Sequence, residues 1–265
     1  MAWIGPCHTP AMSAQDGVVV VVGATGSMGT VLVDRLIERG QQVIAVARTR
    51  EALDAFVDAR PSVIGCPADI GENGSISAIS AAITATGKPV RMAVFMAGLP
   101  VRGSIDTIDP DLLAVGANIK LGGVARLLHA CRDHFVPDSR FVAFAGSLGI
   151  EPKGHEAGPG AINAGLFNLM RQISILYGPK GVTVHTISSG PADTPRLRNI
   201  VENVSKERGE SFEAVWSEYE QQNSLGRMPT PVEVAWAVTM LLEPEAAVLH
   251  GSVLKVDAGG MKGIF

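Results

Sequence analysis

A chain of 265 residues, of which 46% are hydrophobic and 18% charged, is long enough to form one large globular domain. Its net charge of −4 comes with scattered basic residues, which offer no track for a nucleic-acid backbone and no basic patch for a membrane surface. The cysteines, Cys7, Cys66 and Cys131, lie far apart without a Cys-x-x-Cys pair. We therefore expect no metal site and a reducing, cytoplasmic location.

The first 16 residues, MAWIGPCHTPAMSAQD, lack the basic segment and apolar run of a secretory signal. We expect residues 1–16 to form a flexible extension. The run GVVVVV follows immediately, and it is far too short to cross a bilayer. The predicted domain therefore spans 17–265.

Short runs rich in β-branched residues alternate with longer segments whose apolar residues recur at helical spacing. The short runs predict strands at 17–22, 42–47, 62–66, 91–96, 140–145, 182–187 and 252–256. The longer segments predict helices at 27–39, 50–60, 74–86, 110–134, 157–178 and 230–242. Such alternation indicates a parallel sheet covered on both faces by helices. The predicted fold class is α/β, a single-domain, doubly wound Rossmann fold with a seven-stranded parallel sheet.

A glycine-rich turn, GATGSMG, connects the first strand to the first helix and contains Gly23, Gly26 and Gly29. Without side chains at these positions, backbone N–H groups and the helix N-terminus can approach a pyrophosphate. The strand before and the helix after strengthen this otherwise weak pattern. The same turn supplies the remaining predicted contacts: Thr25, Ser27 and Met28.

The residues after the second and third strands bear on which dinucleotide binds. An acidic residue after the second strand would accept hydrogen bonds from the ribose, but Ala47 and Arg48 stand there. A guanidinium binds a 2′-phosphate through two hydrogen bonds, which favours NADP(H) over NAD(H); the alternative is that Arg48 is a solvated loop charge. After the third strand, Asp69 is followed by Ile70, and its carboxylate is placed to hold the adenine amino group.

The closing segment, GRMPTPVEVAWAVTMLLEPEAAVLHGSVLKVDAGG, combines a Gly-Arg pair, a Pro-x-Glu-Val helix start and a strand ending in Val-Asp-x-Gly-Gly. With the glycine turn, it resembles the short-chain dehydrogenase/reductase family, and the resemblance extends over residues 17–265. Thr230 is a plausible N-cap for the last helix. The resemblance implies an NADP(H)-dependent oxidoreductase that acts on a carbonyl or alcohol of a small hydrophobic substrate. It also implies a substrate lid at about 194–226 and a homodimer or homotetramer.

Site residues of that family map onto this sequence one at a time. Asn118 matches an asparagine that holds a water in a proton relay, and Ser147 matches a serine that orients the substrate. The alternatives are a solvent-facing asparagine and an ordinary turn serine. Gly190 and Thr194 match positions at the nicotinamide end of the cofactor. Three further residues are predicted to contact the cofactor: Asn118, and Ala97 and Gly98 in FMAG, where that family has Asn-Asn-Ala-Gly.

The tyrosine and lysine that carry proton transfer in that family are missing here. The stretch GPGAINAGL puts either Pro159 and Asn163, or Gly160 and Ala164, at those two positions. Neither register supplies a proton donor. A general acid is worth roughly 10² to 10⁴ in rate, so a reductase on this scaffold needs a replacement.

Three replacements remain open: His155 in the preceding loop, Tyr219 in the lid, and water held by Asn118 and Ser147. The predicted substrate pocket is lined by Leu99, Ser147, Leu148 and Tyr219. A non-redox enzyme, such as a lyase, isomerase or cyclase, and a non-catalytic NADP(H)-binding protein are the alternative functions. The oxidoreductase is favoured because a full cofactor half would be odd in a protein that never uses the nicotinamide ring.

Overall fold

The structure is a computed structural model that describes residues 16–99, 101 and 103–263. The predicted extension, apart from Asp16, lies outside the described residues. The strands are β1 (Val18–Val22), β2 (Gln42–Ala47), β3 (Val63–Pro67), β4 (Val90–Phe95), β5 (Phe135–Gly146), β6 (Thr183–Ser189) and β7 (Val253–Val256). The helices are α1 (Ser27–Glu38), α2 (Arg50–Asp58), α3 (Gly74–Thr86), α4 (Pro110–Ala117), α5 (Gly123–Cys131), α6 (Ala157–Tyr177), α7 (Pro195–Arg208), α8 (Phe212–Gln221) and α9 (Pro231–Met240).

All seven strands pair in parallel, in the order β3-β2-β1-β4-β5-β6-β7. This confirms the predicted doubly wound sheet. Its strand order reverses direction between β1 and β4, where ligands bind at the carboxyl ends of such sheets. Alternate valines of β1 belong to two separate apolar cores, one on each face of the sheet, and none is more than 2% exposed.

The predicted fourth helix, 110–134, is present but not uniform. A π-helical turn, Asn118–Gly122, interrupts it between α4 and α5. A π-turn closes hydrogen bonds five residues apart and therefore changes the direction in which nearby side chains point. The π-turn therefore determines which side chain of the segment 110–134 points toward the sheet.

Strand β5 begins five residues before the predicted 140–145. Its first part contains a register shift against β4 and a left-handed residue, Asp138, at φ 74°. The hydroxyl of Ser139 donates to the carbonyl of Val90 at 2.6 Å and ties this irregular part to β4. Sequence periodicity does not report a strand that is paired through such a bulge.

The segment predicted as a lid contains α7 and α8, which pack on each other around a small apolar core of their own. Leu197, Val201, Val215 and Met228 form its centre. The two helices cover the carboxyl ends of the central strands. None of the helices in the described part of the chain is long and apolar enough to cross a membrane.

Candidate active site

The glycine turn has the backbone geometry that a bound pyrophosphate requires. Gly23 has φ +84°, and a Cβ there would lie 3.1 Å from the backbone of Met96, just after β4. A Cβ on Gly29 would lie 2.2 Å from the carbonyl oxygen of Gly23, so the turn and α1 cannot approach with a side chain there. Helix α1 begins after Gly26, and no side chain caps its first N–H groups. These donors are left for an anion.

The residues predicted to contact the adenosine part of the cofactor lie where β2 and β3 end. Arg48 is exposed, and its guanidinium makes no hydrogen bond or ion pair with another described residue. Asp69 accepts a hydrogen bond from the N–H of Gly71 at 2.9 Å, and Ile70 is buried beside it. The N–H of Ala68 donates to the carbonyl of Ala47, which holds the ends of the two strands together.

Asn118 lies beside the loop that carries Asp69. Its amide nitrogen donates to the carbonyl of Gly71 at 2.9 Å, and its amide oxygen accepts from Arg126 at 2.8 Å. The side chain does not line the cavity described below. The expected relay role therefore lacks a geometric basis, because the π-turn directs Asn118 toward the loop that carries Asp69.

A cavity of about 500 Å³ lies between the carboxyl ends of β4 to β7 and the lid. Of the residues predicted to contact the cofactor, those that line it are Met28, Gly190 and Thr194. All the residues predicted for the substrate pocket line it as well: Leu99, Ser147, Leu148 and Tyr219. The structure thus brings the glycine turn, the nicotinamide positions and the lid tyrosine to one cavity.

His155 is exposed in the loop before α6 and does not line the cavity. The structure therefore does not bring this predicted proton donor to the other site residues. Ala97 and Gly98 are also outside the lining, although Gly98 lies next to the Arg196 guanidinium: a Cβ on Gly98 would be 3.2 Å from it. Among the described residues, no group of three His, Cys, Asp or Glu side chains is placed to hold a metal ion.

Helix α6 resolves the choice between the two registers. Pro159 and Asn163 line the cavity, whereas Gly160 is buried elsewhere and Ala164 is exposed. The Asn163 amide nitrogen donates to the carbonyl of Pro159 at 2.8 Å, and its buried amide oxygen has no partner among the described residues. A buried acceptor without a partner is costly in isolation, and a cofactor hydroxyl would satisfy it.

Two glycines allow the Ser147 turn to pack closely against Asn163. A Cβ on Gly146 would lie 3.0 Å from the Asn163 side chain, and one on Gly149 would lie 2.7 Å from the backbone of α6. Ser147 and Asn163 are consequently held side by side on the cavity wall. The hydroxyl of Ser147 has no hydrogen-bond partner among the described residues, which leaves it available to a ligand.

The residues predicted to contact the nicotinamide follow β6. Thr194 is the N-cap of α7, where its hydroxyl accepts a hydrogen bond from the N–H of Leu197 at 3.2 Å. The hydroxyl proton of this capping threonine is still free to be donated. Gly190 lies against Asp257, and a Cβ there would be 3.2 Å from the Asp257 side chain.

The sequence analysis missed Lys120, a buried lysine in the π-turn that lines the cavity. Its ammonium donates to the carbonyl of Phe144 at 2.7 Å and lies 5.6 Å from the centre of the Phe95 ring. Burial, with a smaller contribution from the charge of Arg196, lowers the pKa of Lys120 to about 8. One sequence signal existed, a lysine between the apolar Ile119 and Leu121.

Comparisons with known proteins identify the family and the fold. A family model described as enoyl-(acyl carrier protein) reductase matches residues 23–261. The short-chain reductase NovJ of Streptomyces niveus is 26% identical over 254 residues, which is 93% of this chain and 94% of that protein. A single-residue variant of the actinorhodin polyketide ketoreductase, solved with NADPH, is 26% identical, has a TM-score of 0.85 and is matched over 95% of this chain and 100% of its own.

A Pseudomonas aeruginosa PAO1 short-chain oxidoreductase, described as NADPH-bound and as containing an atypical catalytic centre, is 25% identical with a TM-score of 0.82. The match covers 96% of this chain and 100% of that one. The fold, the glycine turn and the family model lead to the same result, and the resemblance found in the sequence is confirmed. The chain therefore belongs to the short-chain dehydrogenase/reductase family of NAD(P)-dependent oxidoreductases.

Proposed function

We propose that the protein interconverts a ketone and the corresponding secondary alcohol of a small, mainly apolar substrate, with NADP(H) as its redox cofactor. This proposal rests on one cavity that is lined by Met28 of the glycine turn, by Thr194 and by residues of the lid. Leu99, Leu148 and Met261 provide apolar surface, and Ser147 provides a hydroxyl for the reacting oxygen. When bound, the cofactor supplies or accepts a hydride.

The chain's own residues fit such a cofactor along its whole length. The uncapped start of α1 suits the pyrophosphate, and Arg48 suits a 2′-phosphate because it has no competing carboxylate. Asp69 provides an acceptor for the adenine amino group. At the other end, the unpartnered oxygen of Asn163 suits a ribose hydroxyl, and Thr194 suits the carboxamide. The NADPH-bound relatives support this assignment.

Cofactor titration tests the choice of NADP(H). We expect NADPH to bind more tightly than NADH, and Arg48→Ala to weaken NADPH binding by about tenfold while changing NADH binding little, since a charge-assisted hydrogen bond contributes about 1.5 kcal/mol or more. Arg50→Ala is the matched control, because Arg50 is also exposed but belongs to α2. Equal affinities for the two cofactors in the unmodified protein would contradict the NADP(H) assignment.

Carbonyl reduction is tested by NADPH oxidation with cyclohexanone, 4-oxocyclohexanecarboxylate and the N-acetylcysteamine thioester of acetoacetate. These probes share a ketone on a small carbon framework and differ in charge and shape. We expect at least one to be reduced, and Ser147→Ala to slow that reduction. A protein that binds NADPH normally and reduces none of the three would argue against this function.

We further propose that the protein assembles as a homodimer or homotetramer. Several apolar side chains on helix surfaces are more than half exposed: Leu112 on α4, Ile175 and Leu176 on α6, and Trp236 on α9. Faces of this kind are covered in symmetric assemblies. Light scattering should give a dimer or tetramer mass that Trp236→Glu reduces, with Ile105→Glu as an exposed apolar control outside these helices. A monomer at micromolar concentration would contradict this assembly.

A further inference from the structure

Lys120 is a buried charge whose surroundings do not neutralise it. Only 6% of the residue is exposed, and its hydrogen-bond acceptor is the uncharged carbonyl of Phe144. No carboxylate in the described part of the chain forms a salt bridge with it. The charged side chain that acts on it is Arg196 of α7, which has the same sign. Burying an unpaired ammonium in this way is costly, which suggests a chemical purpose.

Four carboxylates line the same cavity, and three of them are engaged with other groups. Glu151 accepts from the N–H of Gly263, and Glu218 pairs with Arg208. Asp257 accepts from the N–H groups of Gly259 and Met261. Glu156, the fourth, precedes the first turn of α6. No salt bridge between Lys120 and any of these carboxylates is present in the described part of the chain.

The Lys120 ammonium also has N–H donors that are not used in its hydrogen bond to Phe144. An ammonium carries three N–H donors, and the bond to Phe144 at 2.7 Å uses one of them. The side chain lines the cavity together with Ser147, Pro159 and Asn163. Two N–H donors therefore remain on a residue that lines the same cavity as Ser147, and Pro159 provides no donor to that cavity.

We propose that Lys120 is the general acid of the reaction and donates its proton to the carbonyl oxygen of the substrate. This inference rests on the proposed function. The carbonyl carbon gains a hydride from the reduced cofactor, the C=O double bond becomes a single bond, and the oxygen takes the ammonium proton. The products are the alcohol, the oxidised cofactor and a neutral Lys120 amine, which regains a proton from water. Alcohol oxidation runs through the same groups in reverse.

The environment of Lys120 suits this role. A lysine in water holds its proton too firmly to donate it efficiently at neutral pH, whereas general acids work best when their pKa is near the operating pH. Burial and Arg196 bring the pKa of Lys120 to about 8. Arg196 is held by a hydrogen bond to the carbonyl of Leu99 at 3.0 Å and acts as a positioning residue through its charge.

The first test measures the titration of Lys120 without substrate or turnover. Protein labelled with ¹³Cε and ¹⁵Nζ in lysine is titrated by NMR, and the resonance that disappears in Lys120→Met is assigned to Lys120. We expect it to titrate near pH 8, well below the 10.5 of a lysine side chain in water. Arg196→Gln should raise its midpoint, whereas Arg198→Gln, an exposed residue two positions along α7, should not. A Lys120 midpoint above about 9.5 would overturn the proposal.

The second test measures NADPH binding and reduction of the most reactive of the three ketone probes. In the unmodified protein, kcat/KM for reduction should fall as the pH rises through about 8. Lys120→Met should lower it by roughly 10²- to 10⁴-fold and remove this limb, with NADPH affinity unchanged. Lys120→Arg should also be slow, because a guanidinium keeps the charge but does not release its proton at these pH values. Lys206→Met, an exposed lysine paired with Glu202, is the control.

The outcomes separate this inference from the proposed function. If the unmodified protein reduces no probe, the proposed function fails and this inference fails with it. If reduction occurs and Lys120→Met retains it with the same pH dependence, only the inference fails. Full activity in Lys120→Arg would also overturn the general-acid role, since a positive charge that releases no proton would then be sufficient for reduction.

Discussion

The two halves of the candidate site differ in how far apart their residues lie in the sequence. At the cofactor half, Gly23 and Gly29 lie in one short turn, and backbone contacts within that turn and with Met96 require glycine. At the proton-transfer half, Lys120 and Phe144 are 24 residues apart, and they meet only because a π-turn faces the end of β5. The residues of the cofactor half are thus close together in the sequence, whereas those of the proton-transfer half are far apart.

This difference teaches where such a scaffold can change its chemistry. The glycine turn is difficult to replace by another sequence, because side chains at Gly23 and Gly29 would collide with the backbone. A proton donor needs only a titratable group at the right place, and several neighbouring elements are able to provide it. Here Pro159 and Asn163 occupy positions without a donor, whereas Lys120 on another element has one.

The largest expected effect is at the cofactor half. Gly29→Ala places a Cβ 2.2 Å from the carbonyl oxygen of Gly23, so the turn or α1 must move. We expect NADPH binding to be lost and the free energy of unfolding to fall by about 3 kcal/mol, the upper range for overpacking. Gly74→Ala is the matched control, because a Cβ there meets no atom within 4 Å. Calorimetry measures NADPH binding, and urea unfolding measures the free energy of unfolding. Normal NADPH binding by Gly29→Ala would contradict the view that this turn requires glycine.

The next effect is the cost of burying Lys120. Each pKa unit is worth about 1.4 kcal/mol, so lowering the pKa from 10.5 to about 8 costs about 3 kcal/mol. Between pH 8 and 10.5 the unfolded chain binds a proton that the folded chain does not, so stability rises with pH in this window and the full cost remains below pH 8.

Lys120→Met removes this pH dependence. Measured by urea unfolding, the stability of the variant relative to the unmodified protein should decrease by about 3 kcal/mol from about pH 7 to about pH 10.5. Lys206→Met, at an exposed salt bridge, should show no such trend. Parallel curves for the Lys120 variant and the unmodified protein would mean that Lys120 has an ordinary lysine pKa.

A smaller effect is expected at Asn118, where a substitution should change cofactor affinity and not kcat. Asn118→Ala removes the hydrogen bonds to Gly71 and Arg126 that support the loop carrying Asp69. We expect NADPH affinity to fall about fivefold, equivalent to about 1 kcal/mol, with kcat nearly unchanged. Ser147→Ala provides the contrast, since it should lower kcat and leave NADPH affinity intact. A large loss of kcat in Asn118→Ala would return the relay role to this residue.

The smallest effect is expected at His155. This side chain is exposed and outside the cavity, so His155→Ala should change both stability and kcat/KM within about 0.5 kcal/mol. The pH profile of reduction should keep its limb near pH 8. Loss of another limb of the pH profile in this variant would instead identify His155 as the proton donor.

Local sequence predicted most of the cofactor half. The turn at Gly23 to Gly29 is defined by contacts within a few residues, and alternation of strands with helices is sufficient to predict the parallel sheet. The N-cap of α9 was also predictable from the sequence. The Thr230 hydroxyl accepts a hydrogen bond from the N–H of Glu233, and the Glu233 carboxylate accepts one from the N–H of Thr230, which forms a capping box. Each of these features depends on residues that are close together in the chain.

The proton-transfer half depended on tertiary structure. Sequence spacing left two registers open on α6, and packing of Gly146 and Gly149 against that helix selected Pro159 and Asn163. No spacing rule distinguishes Asn118 from Lys120, because the direction of each side chain is set by the π-turn between α4 and α5.

By itself, then, the sequence determined the sheet, the glycine turn and the absence of a tyrosine–lysine pair on α6. Only the tertiary structure decided that Lys120 is buried beside Phe144 and that Asn118 faces the loop after β3. The physical reason is that burial and the approach of like charges are properties of the folded environment. They change the proton affinity of a side chain without leaving a pattern in the residues beside it.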